Sequence, residues 1–133
     1  SMIRVFFLGK TKEKFISLGI SEYLKRLRKF VKIEIIEVKS LSLDYKDDFI
    51  IVFDVNGKLL SSEDLAKTFE NINNKNISII LGDENGIPEN IRHQAHAIIS
   101  ISRMTFTHEL ARLIVMEQIY RAYTIINNLK YHK

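Results

Sequence analysis

The chain has 133 residues, with 20 Lys and Arg against 16 Asp and Glu and a formal charge of +4. That length suits one domain over residues 1–133, and 46% apolar with 27% charged residues excludes disordered, collagenous and coiled-coil chains. No apolar run approaches the ~18 residues of a membrane span, and the lack of cysteine excludes disulfides, thiolate nucleophiles and Cys-type zinc sites, as suits a cytoplasmic protein. Ser1 ahead of Met2 reads as a tag-cleavage remnant.

Met2–Leu8 (MIRVFFL) is an apolar run stopped by Gly9, which predicts a buried strand. From Thr11, Ile16, Ile20, Tyr23, Leu24, Leu27 and Phe30 recur at helical spacing with Lys and Arg opposite, predicting a basic amphipathic helix. Val31–Val38 returns to strand-forming residues, and Lys39–Asp48 is expected to be an irregular loop. Phe49–Val55 (FIIVFDV) predicts a strand closed by the turn dipeptide Asn56-Gly57. Ser61 with Asp64 has the capping-box pattern for a helix running to about Asn73. Ile77–Leu81 (ISIIL) is another buried strand, followed by Gly82-Asp83-Glu84-Asn85-Gly86. Pro88 suits the first turn of a short helix to about Ala95. Ala97–Ile101 is the last strand, and a long helix spans about Thr107 to Asn127. The alternation predicts an α/β fold with a mostly parallel sheet flanked by helices. Ligands of such sheets bind beyond the strands' C-terminal ends, here at Gly9-Lys10, Asn56-Gly57, Gly82–Gly86 and Ser102–Thr107.

The charge is unevenly distributed. Residues 10–32 carry a net +6, residues 33–102 a net −6 and residues 103–133 a net +3. Two basic ends around an acidic middle fit a surface that meets polyphosphate, although a basic helix is also a common solvated face.

The Gly82–Gly86 loop is the best local candidate for a ligand cradle, with a plain turn as the alternative. It matches neither G-x-G-x-x-G nor a Walker loop, and Asp83 and Glu84 disfavour phosphate, so a neutral or cationic ligand suits it better. His108-Glu109-x-x-Arg112 lacks the second histidine of a zinc site, and His93 and His96 read as surface residues, so no metal is expected. The last helix crowds His108, Arg112, Glu117, Tyr120, Arg121 and Tyr123 together. Its tail ends in Tyr131-His132-Lys133, either a frayed terminus or a group that stacks on a base and holds a phosphate.

Ile79–Ile87 (IILGDENGI), Ile101–His108 (ISRMTFTH), Glu117–Ala122 (EQIYRA) and the closing Tyr131-His132-Lys133 closely resemble the RlmH (YbeA-like) family of SPOUT methyltransferases. Ile3–Gly9, Glu22-Tyr23, Ile33–Val38, Gly57-Lys58 and Ser61–Ala66 match as well, so the resemblance covers nearly the whole chain. It implies a SPOUT-type α/β-knot, with a deep C-terminal trefoil knot, in a homodimer. It also implies transfer of a methyl group from S-adenosyl-L-methionine to N3 of a pseudouridine in helix 69 of 23S rRNA, on the assembled ribosome. The expected cofactor contacts are Phe53, Gly82, Ile101, Ser102, Arg103, Met104, Thr105 and Phe106. His132, Arg121 and Tyr131 are the expected catalytic group. Lys133, Arg112, His108, Lys25, Arg26, Arg28 and Lys29 are expected to hold RNA, and neither membrane nor metal is implied.

The chain departs from the family pattern in four places. Asp83 replaces the second glycine of the usual loop, and Thr107 stands where a proline usually precedes the histidine. The tail lacks the usual Gly and Pro before Tyr131, and Lys39–Asp48 is short. Asp83 and Thr107 prompt an alternative: a catalytically weak RNA- or ribosome-binding module on the same fold. A flavodoxin-like small-ligand protein is a third reading, resting only on the βα alternation.

Overall fold

A computed structural model of the protein describes residues 1–42, 48–72 and 75–133. Strands β1 (Met2–Leu8), β2 (Lys32–Val38), β3 (Phe49–Leu59), β4 (Ile77–Leu81) and β5 (Ala97–Ser100) form one sheet. Its order is β2-β1-β4-β3-β5, and every neighbouring pair is parallel. A parallel sheet is covered on both faces, so its strands read as continuous apolar runs. All five residues of β4 are buried.

Helices α1 (Lys14–Leu27), α2 (Ser62–Asn71) and α4 (His108–Ile126) cover one face. There Val5, Phe7, Ile51 and Ile79 share a core with Ile16, Leu27, Phe69, Val115 and Ile119. On the opposite face Ile91 of α3 (Glu89–Gln94) joins Phe6, Ile50, Val52 and Ile80. The pleat explains why Phe6 and Phe7 part company. Each such side chain contributes about 1.5–3 kcal/mol when taken from water. Helix α4 packs against both α1 and α2 and leads from the segment after β5 to the tail.

Two boundaries differ from expectation, each for a local reason. Asn56-Gly57 is no terminal turn: β3 continues to Leu59, with its register shifting between Phe53 and Lys58. Gly57 is pressed against β5 so closely that a Cβ would sit 2.7 Å from the Ile98 and Ile99 backbone, leaving room for hydrogen alone. Helix α1 begins at Lys14 rather than Thr11 because the Glu109 carboxylate holds the Lys12 and Glu13 amides at 2.9–3.1 Å. The His96 side chain fastens the start of β5, its Nδ1 accepting a 2.9 Å bond from the Ile50 amide. The expected helix end at Asn73 lies outside the described residues, as does the central part of the Lys39–Asp48 loop.

Candidate active site

A cavity of about 240 Å³ opens at the C-terminal ends of β4 and β5, beside the register shift of β3. Phe53, Asp54 and Val55 line it from β3, the 82–87 loop from β4, and the segment after β5 closes it. Seven of the eight residues expected at a cofactor line this cavity: Phe53, Gly82, Ile101, Ser102, Met104, Thr105 and Phe106; Arg103 does not. The Gly9-Lys10 loop also lies apart from it. His108, expected on RNA, is part of the cavity wall instead, on the first turn of α4.

Local hydrogen bonds hold these walls. The Met104 amide donates to Ser102 Oγ and Ser100 Oγ donates to the Ser102 carbonyl, both at 2.9 Å. Asp83 spends its carboxylate on its own loop, where Oδ1 accepts from the Asn85 amide at 2.8 Å. A Cβ on Gly82 would collide with the Gly86 carbonyl, so the cradle requires a bare backbone there. Thr107 Oγ1 caps α4 by accepting from the Leu110 amide at 3.2 Å. Both departures from the family pattern therefore have local partners. Asp54 is ion-paired with Arg92, while Asp83 and Glu84 also line the cavity. A lining that joins Asp54, Asp83 and Glu84 to apolar Phe53, Ile101 and Phe106 suits a cation with an apolar body better than a phosphate.

A second group forms where the chain reverses after α4. Asn128 adopts a left-handed backbone (φ 56°), and the Asn128 and Leu129 amides donate to the Ile125 and Thr124 carbonyls at 3.1 and 2.8 Å. This is a Schellman cap, and it folds the tail back onto its own helix rather than leaving it frayed. Tyr131 Oη then donates to Glu117 Oε2 at 2.7 Å, and Arg121 Nη2 donates to the same oxygen at 2.7 Å. Arg121 Nη1 meets His132 Nδ1 at 3.0 Å, and His132 Nε2 meets Glu63 Oε1 at 3.0 Å. Since Arg121 can only donate, Nδ1 accepts and the imidazole proton sits on Nε2 facing Glu63. The Glu117 hydrogen bond raises the Arg121 pKa. Burial, then the bond to Glu117, raises that of Tyr131, which keeps the phenol neutral.

A family profile described as "Predicted SPOUT methyltransferase" matches residues 41–132. The chain belongs to the SPOUT methyltransferase family. "Ribosomal RNA large subunit methyltransferase H" of Francisella philomiragia is 39% identical over 153 aligned positions, covering 98% of this chain and 99% of its own. The protein of the same name from Prochlorococcus marinus is 40% identical over 133, covering 98% and 95%. Among solved structures, a probable methylase family protein from Haemophilus influenzae superposes with a TM-score of 0.67 at 12% identity, covering 98% of this chain and 70% of its own. The tRNA (m1G37) methyltransferase of Aquifex aeolicus does so at 0.58 and 18%, covering 91% and 70%.

Within this SPOUT methyltransferase, Arg112 is the clearest correction. It was expected on RNA, yet it is fully buried. Its guanidinium donates to the Leu8 carbonyl at 2.8 Å and to Thr11 Oγ1 at 2.9 Å, and stacks 4.7 Å over the Phe7 ring. A cation committed to the protein interior offers nothing to a phosphate. By contrast Lys25, Arg28, Lys29 and Lys133 are exposed. Arg26 is half-buried, paired with Glu22 at 3.1 Å and lying over the Tyr23 and Tyr120 rings at 5.3 and 5.7 Å. Glu109 was not singled out from sequence, because its partners are 96 and 97 residues away. Glu63 and Gln118 were likewise overlooked. Among the described residues no group of three His, Asp or Glu side chains could hold a metal, and no helix is long and apolar enough to cross a membrane.

Proposed function

We propose that the chain transfers a methyl group from S-adenosylmethionine to N3 of a pseudouridine in helix 69 of large-subunit rRNA, on the assembled ribosome. The observation that carries this reading is the acidic cavity beside β3, β4 and β5, lined by Phe53, Gly82 and most of the segment after β5. It rests also on relatives, named as large-subunit rRNA methyltransferases, that match over nearly their whole length. The residues present fit the cofactor: a bare Gly82 leaves room, Asp83 is folded into its loop, and the nearby acids favour a sulfonium. When bound, that group supplies a methyl carbon already activated by its positive sulfur.

The chain's own task is to place the ring nitrogen in line and to ease loss of its proton. Arg121 offers positive charge to the ring anion. Tyr131, kept neutral, acts as a donor and never as a base. The Nδ1 lone pair of His132 is engaged by Arg121, so it becomes available when Arg121 turns to substrate. Glu117 positions Arg121 and Tyr131 rather than taking the proton itself. Lys25, Arg26, Arg28, Lys29 and Lys133 hold RNA.

The active unit in this reading is a homodimer with a deep C-terminal trefoil knot. Phe15 and Leu18 of α1, 65% and 67% exposed, and Met104 at 76% supply apolar surface for a partner copy. Sedimentation tests the dimer. Labelled methyl transfer to ribosomes, compared with free rRNA, together with titration of S-adenosylhomocysteine, tests the activity. A folded protein that binds no S-adenosylhomocysteine sinks the enzyme reading and leaves the weak RNA-binding module in its place.

A further inference from the structure

A second cavity, about 220 Å³, adjoins the first and shares Phe53, Ser100 and Ile101 with it. The rest of its wall comes from Leu60, Ser61 and the start of α2, from Ile99 of β5, and from Ile114 and Gln118 of α4. That volume falls below the ~300 Å³ at which drug-sized pockets begin, and it suits a single ring. Helix α4 links three zones in succession. Ala111 and Val115 face the cofactor cavity, Ile114 and Gln118 the second cavity, and Glu117 and Arg121 the tail group. At 1.5 Å per residue, Gln118 stands about 10 Å along the helix from Ala111 and about 5 Å from Arg121.

Gln118 is held in a defined orientation. Its Nε2 donates to Glu117 Oε1 at 3.1 Å and its Oε1 accepts from Ser62 Oγ at 2.6 Å. The Glu117 carboxylate can only accept, so it holds the amide nitrogen on its side and fixes the orientation of the group. One N–H and one carbonyl lone pair of Gln118 remain unused. Together they can receive an edge in which a ring N–H adjoins a carbonyl.

Resting on the methyl-transfer reading above, we propose that this cavity receives the target base, flipped from its stack, and that Gln118 selects it. A ring read at one N–H and methylated at another needs two ring N–H groups. Pseudouridine has N1–H beside C2=O as well as N3–H, whereas uridine has N3–H alone. Gln118 takes the N1–H and C2=O edge, leaving N3 directed at the shared wall of Phe53 and Ile101. In the transfer, the N3–C bond forms as the C–S bond breaks, the sulfonium becomes a thioether, and the N3 proton passes to solvent. The tail group reached through Glu117 then stands beside the developing ring anion.

The test uses Gln118→Met, which keeps shape and loses both hydrogen bonds, and Ile114→Phe, which fills the cavity from the other side. Methyl transfer is measured on ribosomes carrying either pseudouridine or uridine at the target position. The wild type is expected to favour pseudouridine, Gln118→Met to lose most of that preference, and Ile114→Phe to lose at least tenfold in kcat/KM. Both variants should bind S-adenosylhomocysteine within about twofold of wild type, which also shows them folded. A readout without cofactor is the NMR shift of the Ile114 methyl group on titration with pseudouridine, expected to be larger than with 1-methylpseudouridine. Wild-type rates and unchanged selectivity in both variants, or equal shifts with the two nucleosides, overturn the base pocket alone. Failure of the wild type to bind S-adenosylhomocysteine overturns the methyltransferase reading, and the base pocket with it.

Discussion

Tyr131 and Glu117 are fourteen residues apart in sequence, yet the phenol donates a 2.7 Å hydrogen bond to the carboxylate. That bond exists because the chain reverses at Asn128 and returns along α4. Glu117 thereby collects Arg121 and Tyr131 on one oxygen and presents them with His132 as one unit. Replacing Glu117 by Gln should remove charge-assisted bonds worth about 1.5–3 kcal/mol each and release the tail. We expect methyl transfer to fall at least tenfold while S-adenosylhomocysteine affinity stays unchanged. An equal loss in both would mean that the tail also shapes the cofactor cavity.

Acid should uncouple α1 from α4. The Glu13 amide, followed by that of Lys12, holds the Glu109 carboxyl below its ordinary value against the opposing effect of burial. A depressed folded-state value contributes stability that is fully present above the unfolded value, about 4.3, and is lost as pH falls through the folded one. Urea midpoints of wild type and Glu109→Gln should therefore differ at pH 7 and converge as the pH falls through the folded-state value of Glu109. A gap that persists in acid would show that Glu109 acts by packing rather than by charge.

Removing the buried cation should be costly for stability. Arg112→Met leaves the Leu8 carbonyl and the Thr11 hydroxyl without their donors, at about 1–3 kcal/mol for each unsatisfied group. It also exposes Glu109 to the loss of a nearby positive charge. The expected result is a lower melting temperature with an unchanged salt dependence of RNA binding. If the salt slope drops by about one, Arg112 reaches phosphate after all.

The fold was largely legible in the sequence because parallel strands, buried on both faces, announce themselves as apolar runs such as Ile77–Leu81. The lining of the cavity beside Gly82 was legible for a related reason: strand ends and the Gly82 loop are local features. What escaped reading depended on distant partners. Arg112 looked like a surface cation because nothing near it in sequence reveals the Leu8 carbonyl that receives it. Asn56-Gly57 had the composition of a turn, and only the backbone of β5 shows why a glycine stands there. That the tail folds back rather than frays depends on one left-handed residue, Asn128, whose side chain permits but does not require that conformation.

Gly82→Ala tests the cradle directly. The added methyl would overlap the Gly86 carbonyl, so the 82–86 turn, closed by the Gly86 amide on the Asp83 carbonyl at 3.0 Å, has to open. The displaced loop moves into or away from the cavity, and S-adenosylhomocysteine binding should weaken at least tenfold. The tail group takes no residue from this loop, so ribosome binding measured without cofactor should hold. Unchanged cofactor affinity would place the cofactor elsewhere.

The basic face of α1 gives the last expectation. Lys25, Arg28 and Lys29 are exposed, so if they hold RNA as proposed, their charges exchange counterions with it rather than stabilise the fold. Exposed charges form ion pairs worth only about 0–1 kcal/mol, so Lys25→Glu, Arg28→Glu and Lys29→Glu together should barely move the melting temperature. Binding to ribosomes should nonetheless weaken, and the slope of log affinity against log salt should become shallower by about two to three. Arg26 is better left intact in this experiment, because its guanidinium is engaged by Glu22 and lies over the Tyr23 and Tyr120 rings. S-adenosylhomocysteine affinity is the internal control, since the triple variant lies outside the cavity lining. If ribosome affinity and its salt slope both match wild type, the helix is only a solvated face, and RNA must be held by other basic groups.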